Sequence, residues 1–200
     1  MTAPELPADR ATTKAAVPCD LREGTASDLE AVVALHLASW RDSYRGLLPD
    51  GYLDGALADD LAAKWQRKLI DSPTPGSLLL LAESDGKLVG FLYACRDPER
   101  PGSAYIDNLH VAPECRGSGL GARLLRQAAA RLSPLGYRGA HLLVFARNEA
   151  AVRFYLRHGG RVVHRGLEDL MGHPADTYRI VWPDLSVLTE EPSQRIRGKG

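Results

Sequence analysis

The chain carries no net charge: 25 Lys and Arg offset 25 Asp and Glu across 200 residues. Without a basic excess, nucleic acid is not the partner the composition points to. The three cysteines, Cys19, Cys95 and Cys115, form no CxxC pair and no zinc-ligand spacing. They read as free thiols in a reducing compartment. Six histidines include no HExxH, so no metal site is expected. No apolar run reaches the length of about 18 residues that a membrane-spanning helix needs. The opening MTAPELPADRATTKAA lacks the apolar segment of a secretory signal. The expectation is a cytoplasmic protein with a flexible leader over 1–18 and a flexible tail over 185–200, where TEEPSQRIRGKG reads as a frayed end. A GxxxxGK[ST] phosphate loop and internal repeats are also missing.

What is present is an ordinary globular composition, 44% hydrophobic and 25% charged, enough for a single packed domain over 19–184. A short strand at Asp20–Arg22 precedes a helix in TASDLEAVVALHLASW. There Thr25 and Asp28 resemble a capping box, and Leu29, Val32, Val33, Leu37 and Trp40 share a face. RGLLPDGYLD breaks that pattern, and a second helix is expected from about Leu53 to Leu69. LLLLAE and LVGFLYAC form a hairpin through Asp85-Gly86. YIDNLHV is a fourth strand. A helix at 119–132, a buried strand at 141–145, a helix in NEAAVRFYLRH and two last strands near 161–167 and 177–182 complete a mixed α/β order.

The most informative stretch is APECRGSGLGARLL, residues 112–125. Its glycines serve a tight strand-to-helix turn on the plainest reading. Gly117 to Ala122 also match G-x-G-x-x-A, but the next strand ends in Phe145-Ala146-Arg147 with no acid to hold a ribose, which weakens a dinucleotide site. A third reading is a pyrophosphate cradle: the backbone N–H groups of 117–122 converge at a helix start, and Arg116 adds a cation.

Two spans then point to a family. Leu109-His110-Val111-Ala112-Pro113-Glu114-Cys115-Arg116-Gly117-Ser118-Gly119-Leu120-Gly121 resembles the acetyl-CoA loop of the GCN5-related N-acetyltransferases. Asn148, Ala151 and Tyr155 in RNEAAVRFY resemble the Asn-x-x-Ala-x-x-x-Tyr pattern of the helix that follows. The resemblance runs from about Leu21 to Trp182. It implies a mixed, mostly antiparallel sheet of about seven strands flanked by about four helices, splayed between the fourth and fifth strands. It also implies that acetyl-CoA is the cosubstrate, held by Leu109, His110, Val111, Arg116, Gly117, Ser118, Gly119, Leu120, Gly121, Ala122, Asn148 and Ala151. Tyr155 would protonate the departing thiolate. An amine-bearing small molecule or peptide would be acetylated by direct attack in a ternary complex, by a monomer or homodimer. A non-catalytic acetyl-CoA-binding module is the alternative. Where family members continue to Gly-Phe, this chain has Gly159-Gly160, so an aromatic packing contact is missing.

An attacking amine must shed a proton; the resemblance implies a base at the positions of Tyr105 or Asp107, which makes Asp107 the first candidate, with His110 and Glu83 behind it. In a regular strand Tyr105, Asp107, Leu109 and Val111 share one face and Ile106, Asn108 and His110 the other. Trp40 and Tyr44, four residues apart on a helix, are candidate acceptor-binding residues, or core aromatics. Cys115 has no Cys–His arrangement near it and reads as a small turn residue.

Overall fold

The computed structural model describes residues 14–170 and 172–189. Seven strands form one sheet: β1 (Asp20–Glu23), β2 (Leu78–Ser84), β3 (Lys87–Arg96), β4 (Ser103–Val111), β5 (Gly139–Phe145), β6 (Arg161–Leu170) and β7 (His173–Trp182). Their spatial order is β1-β2-β3-β4-β5-β7-β6, antiparallel throughout except for the parallel β4–β5 pair. That pair is short. It runs from Ser103↔Gly139 to Tyr105↔His141 and then stops. From Ile106 onward β4 has a ladder partner only in β3, so one backbone edge faces an opening between β4 and β5. The expected splay is present.

The β2–β3 turn holds Asp85 and Gly86 at φ 50° and 71°, the two left-handed positions of a type I′ hairpin. Helix α1 (Leu29–Ser43) follows a 3-10 turn, where Asp28 Oδ2 accepts from the Thr25 backbone N at 2.8 Å and Arg22 pairs with the same carboxylate. The single helix expected over 53–69 is instead α2 (Asp50–Asp54), α3 (Leu57–Gln66) and a π turn at Arg67–Asp71. Gly55 marks the break: a Cβ there would stand 2.7 Å from the Gly51 carbonyl oxygen.

Helices α1 and α3 cover one face of the sheet. Trp65 of α3 is fully buried against Phe91 and Tyr93 of β3. Burying side chains of this size supplies about 1.5–3 kcal/mol each. Helix α4 (Leu120–Leu132) covers the other face with Leu124, Leu125, Ala128 and Leu132, and α5 (Glu149–Arg157) lies beside it, Phe154 packing near Gly121. A smaller apolar cluster, Trp40, Leu48, Leu53, Leu57 and Leu61, joins α1 to α2 and α3.

Residues 1–13 and 190–200, most of the expected leader and tail, lie outside the described residues. The described residues at these two ends are packed. Lys14 runs against the glycine turn, its backbone N donating to the Gly117 oxygen at 3.2 Å. The chain stays packed beyond 185: Leu185 and Leu188 are buried, with α6 (Ser186–Thr189) against α4. Their apolar side chains gain more by covering α4 than a frayed tail would lose in entropy.

Candidate active site

The opening between β4 and β5 is ringed by the residues the two sequence patterns single out. At its head, Pro113–Cys115 form a 3-10 turn, and Gly117 and Gly119 take φ of 78° and 84°. A side chain at either position would strain the backbone by about 1–2 kcal/mol. Ser118 Oγ donates to the Cys115 oxygen at 2.6 Å, tightening the turn. Gly119 is the N-cap of α4 and offers no side-chain cap, which leaves the first N–H groups of that 13-residue helix available to an anion. Gly121 lies in ordinary contact with Phe154 of α5, and Leu120 is buried while Ala122 is half-buried along the helix.

Arg116 is exposed, but its guanidinium is engaged. It pairs with Asp42, donates to Ser43 Oγ at 3.2 Å, and approaches the Val111 oxygen at 3.4 Å. Asp42 and Ser43 are the last residues of α1, so this helix is tied to the glycine turn.

Helix α5 forms another side. Asn148 is its N-cap, and Oδ1 accepts from the Ala151 backbone N at 3.1 Å. The Asn148 side chain also influences the Tyr44 phenol, which burial pushes up to about 12 and Asn148 partly offsets. Tyr44 is half-buried and packs edge-on against Trp40 at 5.0 Å and Phe145 at 4.8 Å. Tyr155 is 9% exposed. Burial raises its phenol above the ordinary tyrosine value, and the nearby Tyr44 adds to the rise. The opening thus joins a residue of α1 to two of α5, although the helices lie on opposite faces of the sheet.

The missing aromatic after Tyr155 is replaced in three dimensions. A Cβ on Gly160 would stand 2.6 Å from Ile180 Cγ2 and 2.9 Å from Trp182 Cζ2. Trp182 fills that space from β7, lies edge-on to Tyr155 at 5.9 Å, and donates to the His158 oxygen at 2.9 Å. The aromatic contact missing from the local sequence is supplied by a different element.

The expected alternation of β4 is also corrected. Tyr93 pairs with Asn108 and Ala94 with Ile106, which leaves Asp107 as an extra residue in a β-bulge. The bulge turns Asp107 to the α3 side, the layer that His110 also faces. Asp107 meets Lys68 at 3.0 Å and Lys64 at 3.5 Å, and accepts from Asn108 Nδ2 at 2.7 Å. Burial alone would raise its carboxyl. The two ammonium groups outweigh burial and hold it below the usual carboxylate range. The lysine pair thus makes Asp107 a weaker proton acceptor than an unpaired carboxylate.

His110 does no better as a base. Its Nδ1 lies 2.9 Å from Ser39 Oγ, its ring packs on His36 at 4.3 Å, and burial brings it down to about 3. Glu83 is bound to Arg22 at 2.5 Å, on the far side of β3. Trp40 is 4% exposed within the smaller core and offers no surface to an acceptor, whereas Tyr44 reaches the opening. The Cys115 thiol is buried, and burial pushes it up, away from a nucleophilic thiolate.

Sequence reasoning missed Lys64, Lys68 and Asn108. Their only signal was a pair of lysines spaced four apart, common on helix surfaces. Among the described residues no cluster of three or more His, Cys, Asp or Glu could hold a metal, and no helix is long and apolar enough to cross a membrane.

Comparison with known proteins agrees with this geometry. Residues 37–160 match the family described as Acetyltransferase (GNAT) family. An uncharacterized N-acetyltransferase, YuaI of Bacillus subtilis, is 23% identical over 172 residues, covering 84% of this chain and 95% of that protein. The phosphinothricin N-acetyltransferase of Alcaligenes faecalis is 31% identical over 135 residues, 64% of this chain and 62% of the relative. Among solved structures, the PaiA N-acetyltransferase of Thermoplasma acidophilum in complex with coenzyme A superposes with a TM-score of 0.62 at 22% identity, over 81% of this chain and 98% of that one.

Proposed function

The chain belongs to the acetyltransferase (GNAT) family, and we propose that it moves an acetyl group from acetyl-CoA to a primary amine by direct attack in a ternary complex. The observation that carries the reading is the opening between β4 and β5. It has an unpaired strand edge on one side, an uncapped helix start at its head and a buried phenol beside it.

The N–H groups at 117–122 take the pyrophosphate of acetyl-CoA, in the field of the α4 N-terminus. The pantetheine arm lies along Leu109–Val111, where the free edge of β4 supplies main-chain hydrogen bonds as a partner strand would. Asn148 and Ala151 line the arm from α5. A backbone N–H of β4 polarises the thioester carbonyl and stabilises the oxyanion that forms when the amine attacks. The acetyl carbon passes to the amine nitrogen, the carbon–sulfur bond breaks, and Tyr155 donates to the sulfur as negative charge develops there. Its raised pKa keeps the phenol protonated through neutral pH, so the donor is always present.

With Asp107 and His110 both weakened as proton acceptors, the amine proton leaves to solvent, directly or along water. The name of the relative from Alcaligenes faecalis, which acts on phosphinothricin, supports a small amine-bearing acceptor. The test is thiol release from acetyl-CoA against a mixed panel of amines and short peptides, with an acceptor-free control. Acceptor-dependent release supports the reading. Tight acetyl-CoA binding with no release for any acceptor points to a non-catalytic binder.

A further inference from the structure

Lys64 of α3 and Lys68 of the π turn that continues it converge on the one carboxylate of Asp107, at 3.5 and 3.0 Å. All three are largely covered, with side-chain exposures of 22%, 24% and 13%. Two cations share one anion, so the cluster keeps a surplus positive charge in a half-buried place. Among the described residues no other acid forms an ion pair with either lysine. Lys68 also lies over the Tyr93 ring at 4.7 Å, which offsets part of its charge; no second carboxylate neutralises the remainder, and an incoming anion would do so.

The cluster adjoins, along β4, the strand edge assigned to the proposed reaction centre. Asp107 is the bulged residue of β4, immediately before the strand edge assigned to the pantetheine arm and just beyond the last β4–β5 pair, Tyr105↔His141. Over this floor α2 reaches the β6–β7 hairpin, where the rings of Tyr52 and His173 are 4.6 Å apart. Lys64 and Lys68 therefore give this floor a surplus positive charge on its α3 side.

We propose that the acceptor is an amino acid, whose carboxylate is held by Lys64 and Lys68 while its amine faces the thioester. This rests on the acetyltransferase reading above. The contact would hold the amine a few bonds away from a fixed anchor, the kind of positioning that raises the rate of attack. A polyamine would meet the surplus positive charge unfavourably.

The experiment is thiol release from acetyl-CoA with a set of amino acids, each beside its carboxamide and its decarboxylated counterpart. One such trio is 2,4-diaminobutyrate, its amide and 1,3-diaminopropane. At least one amino acid is expected to exceed both counterparts in kcat/KM by tenfold or more. Lys64→Met removes the surplus charge and leaves the neutral Lys68–Asp107 pair, so the variant should fold. It is expected to erase most of that preference through KM, with acetyl-CoA affinity unchanged. Equal or better turnover of carboxamides, decarboxylated amines or spermidine overturns the proposal. So does a preference that survives in Lys64→Met, or an enzyme that binds acetyl-CoA and acetylates none of the amino acids. Failure to bind acetyl-CoA at all is a different result and removes the underlying acetyltransferase reading.

Discussion

Tyr44, the residue that ends α1, packs edge-on against Phe145 at the end of β5, ring centroids 4.8 Å apart, and the Asn148 side chain at the start of α5 is close enough to influence its phenol. Asn148 already uses Oδ1 to cap its own helix, so its NH2 is the group left to face Tyr44. Tyr44→Phe keeps the packing on Trp40 and Phe145 and removes only this contact. The expected result is a several-fold loss in acetyl-CoA affinity or kcat with less than about 1 kcal/mol lost in stability, read by ligand titration and urea unfolding. Asn148→Ala should cost more stability, about 1 kcal/mol, because the cap is lost as well.

Tyr155→Phe tests the acid. Thiol release with a true acceptor should fall about a hundredfold or more in kcat, the scale of a lost general acid, while acetyl-CoA affinity stays near that of the parent. An unchanged kcat would remove the assignment. Because the phenol is raised above its ordinary value near 10, its own ionisation should leave the kcat profile flat on the alkaline side up to pH 10.

The glycine turn can be separated into its parts. Gly119→Ala forces a side chain onto φ 84° and should cost about 1–2 kcal/mol in stability or an equivalent loss of acetyl-CoA affinity. Gly121→Ala has ordinary contacts and a helical position, and should be better tolerated in a melting assay. Arg116→Ala should weaken acetyl-CoA and reduce the salt dependence of its binding. Asp42→Ala, which removes only an exposed ion-pair partner, should change stability by less than about 1 kcal/mol.

His36 and His110 are held neutral by burial, His110 down to about 3 and His36 well below its usual value. Trp65 Nε1 donates to His36 Nδ1 at 2.9 Å, an acceptor position that protonation would destroy. Both pKa values are lower in the folded chain than in the unfolded one. The unfolded state therefore takes up protons first, and stability is lost as pH falls below about 6.5. Each histidine contributes a slope approaching about 1.4 kcal/mol per pH unit between that point and its folded pKa. Urea unfolding at a series of pH values from 7.5 to 5 measures this, and a flat profile would contradict it.

Gly160→Phe would restore the aromatic that this family often carries after the glycine. Trp182 and Ile180 already occupy the space, within 3 Å of where a Cβ would stand. The substitution should destabilise by about 1–3 kcal/mol or more and disturb Tyr155, visible as a lower melting temperature.

Much of the fold was legible because it is written locally. The Asp85-Gly86 turn, the run of leucines in β2, the capping pair Thr25 and Asp28, and the glycines before α4 each act within a few residues, so each left a mark in sequence. The two patterns around Arg116 and Asn148 likewise report backbone and helix-face requirements that short spacings encode. What the sequence could not decide were matters of which element meets which. A single extra residue at Asp107 reversed the facing of a strand that alternation alone had assigned, because a bulge depends on the pairing with β3 and not on the residue itself. The two lysines that lower the pKa of that carboxylate stand about 40 residues earlier in the chain and reach it only when α3 and the π turn after it pack on the sheet. Trp182 takes the place of an absent neighbour of Tyr155 for the same reason. Local propensity set the elements and the glycine turn. Long-range packing set the charge around Asp107, because electrostatic environment is a property of distances in space, and distances between elements exist only once the chain has folded.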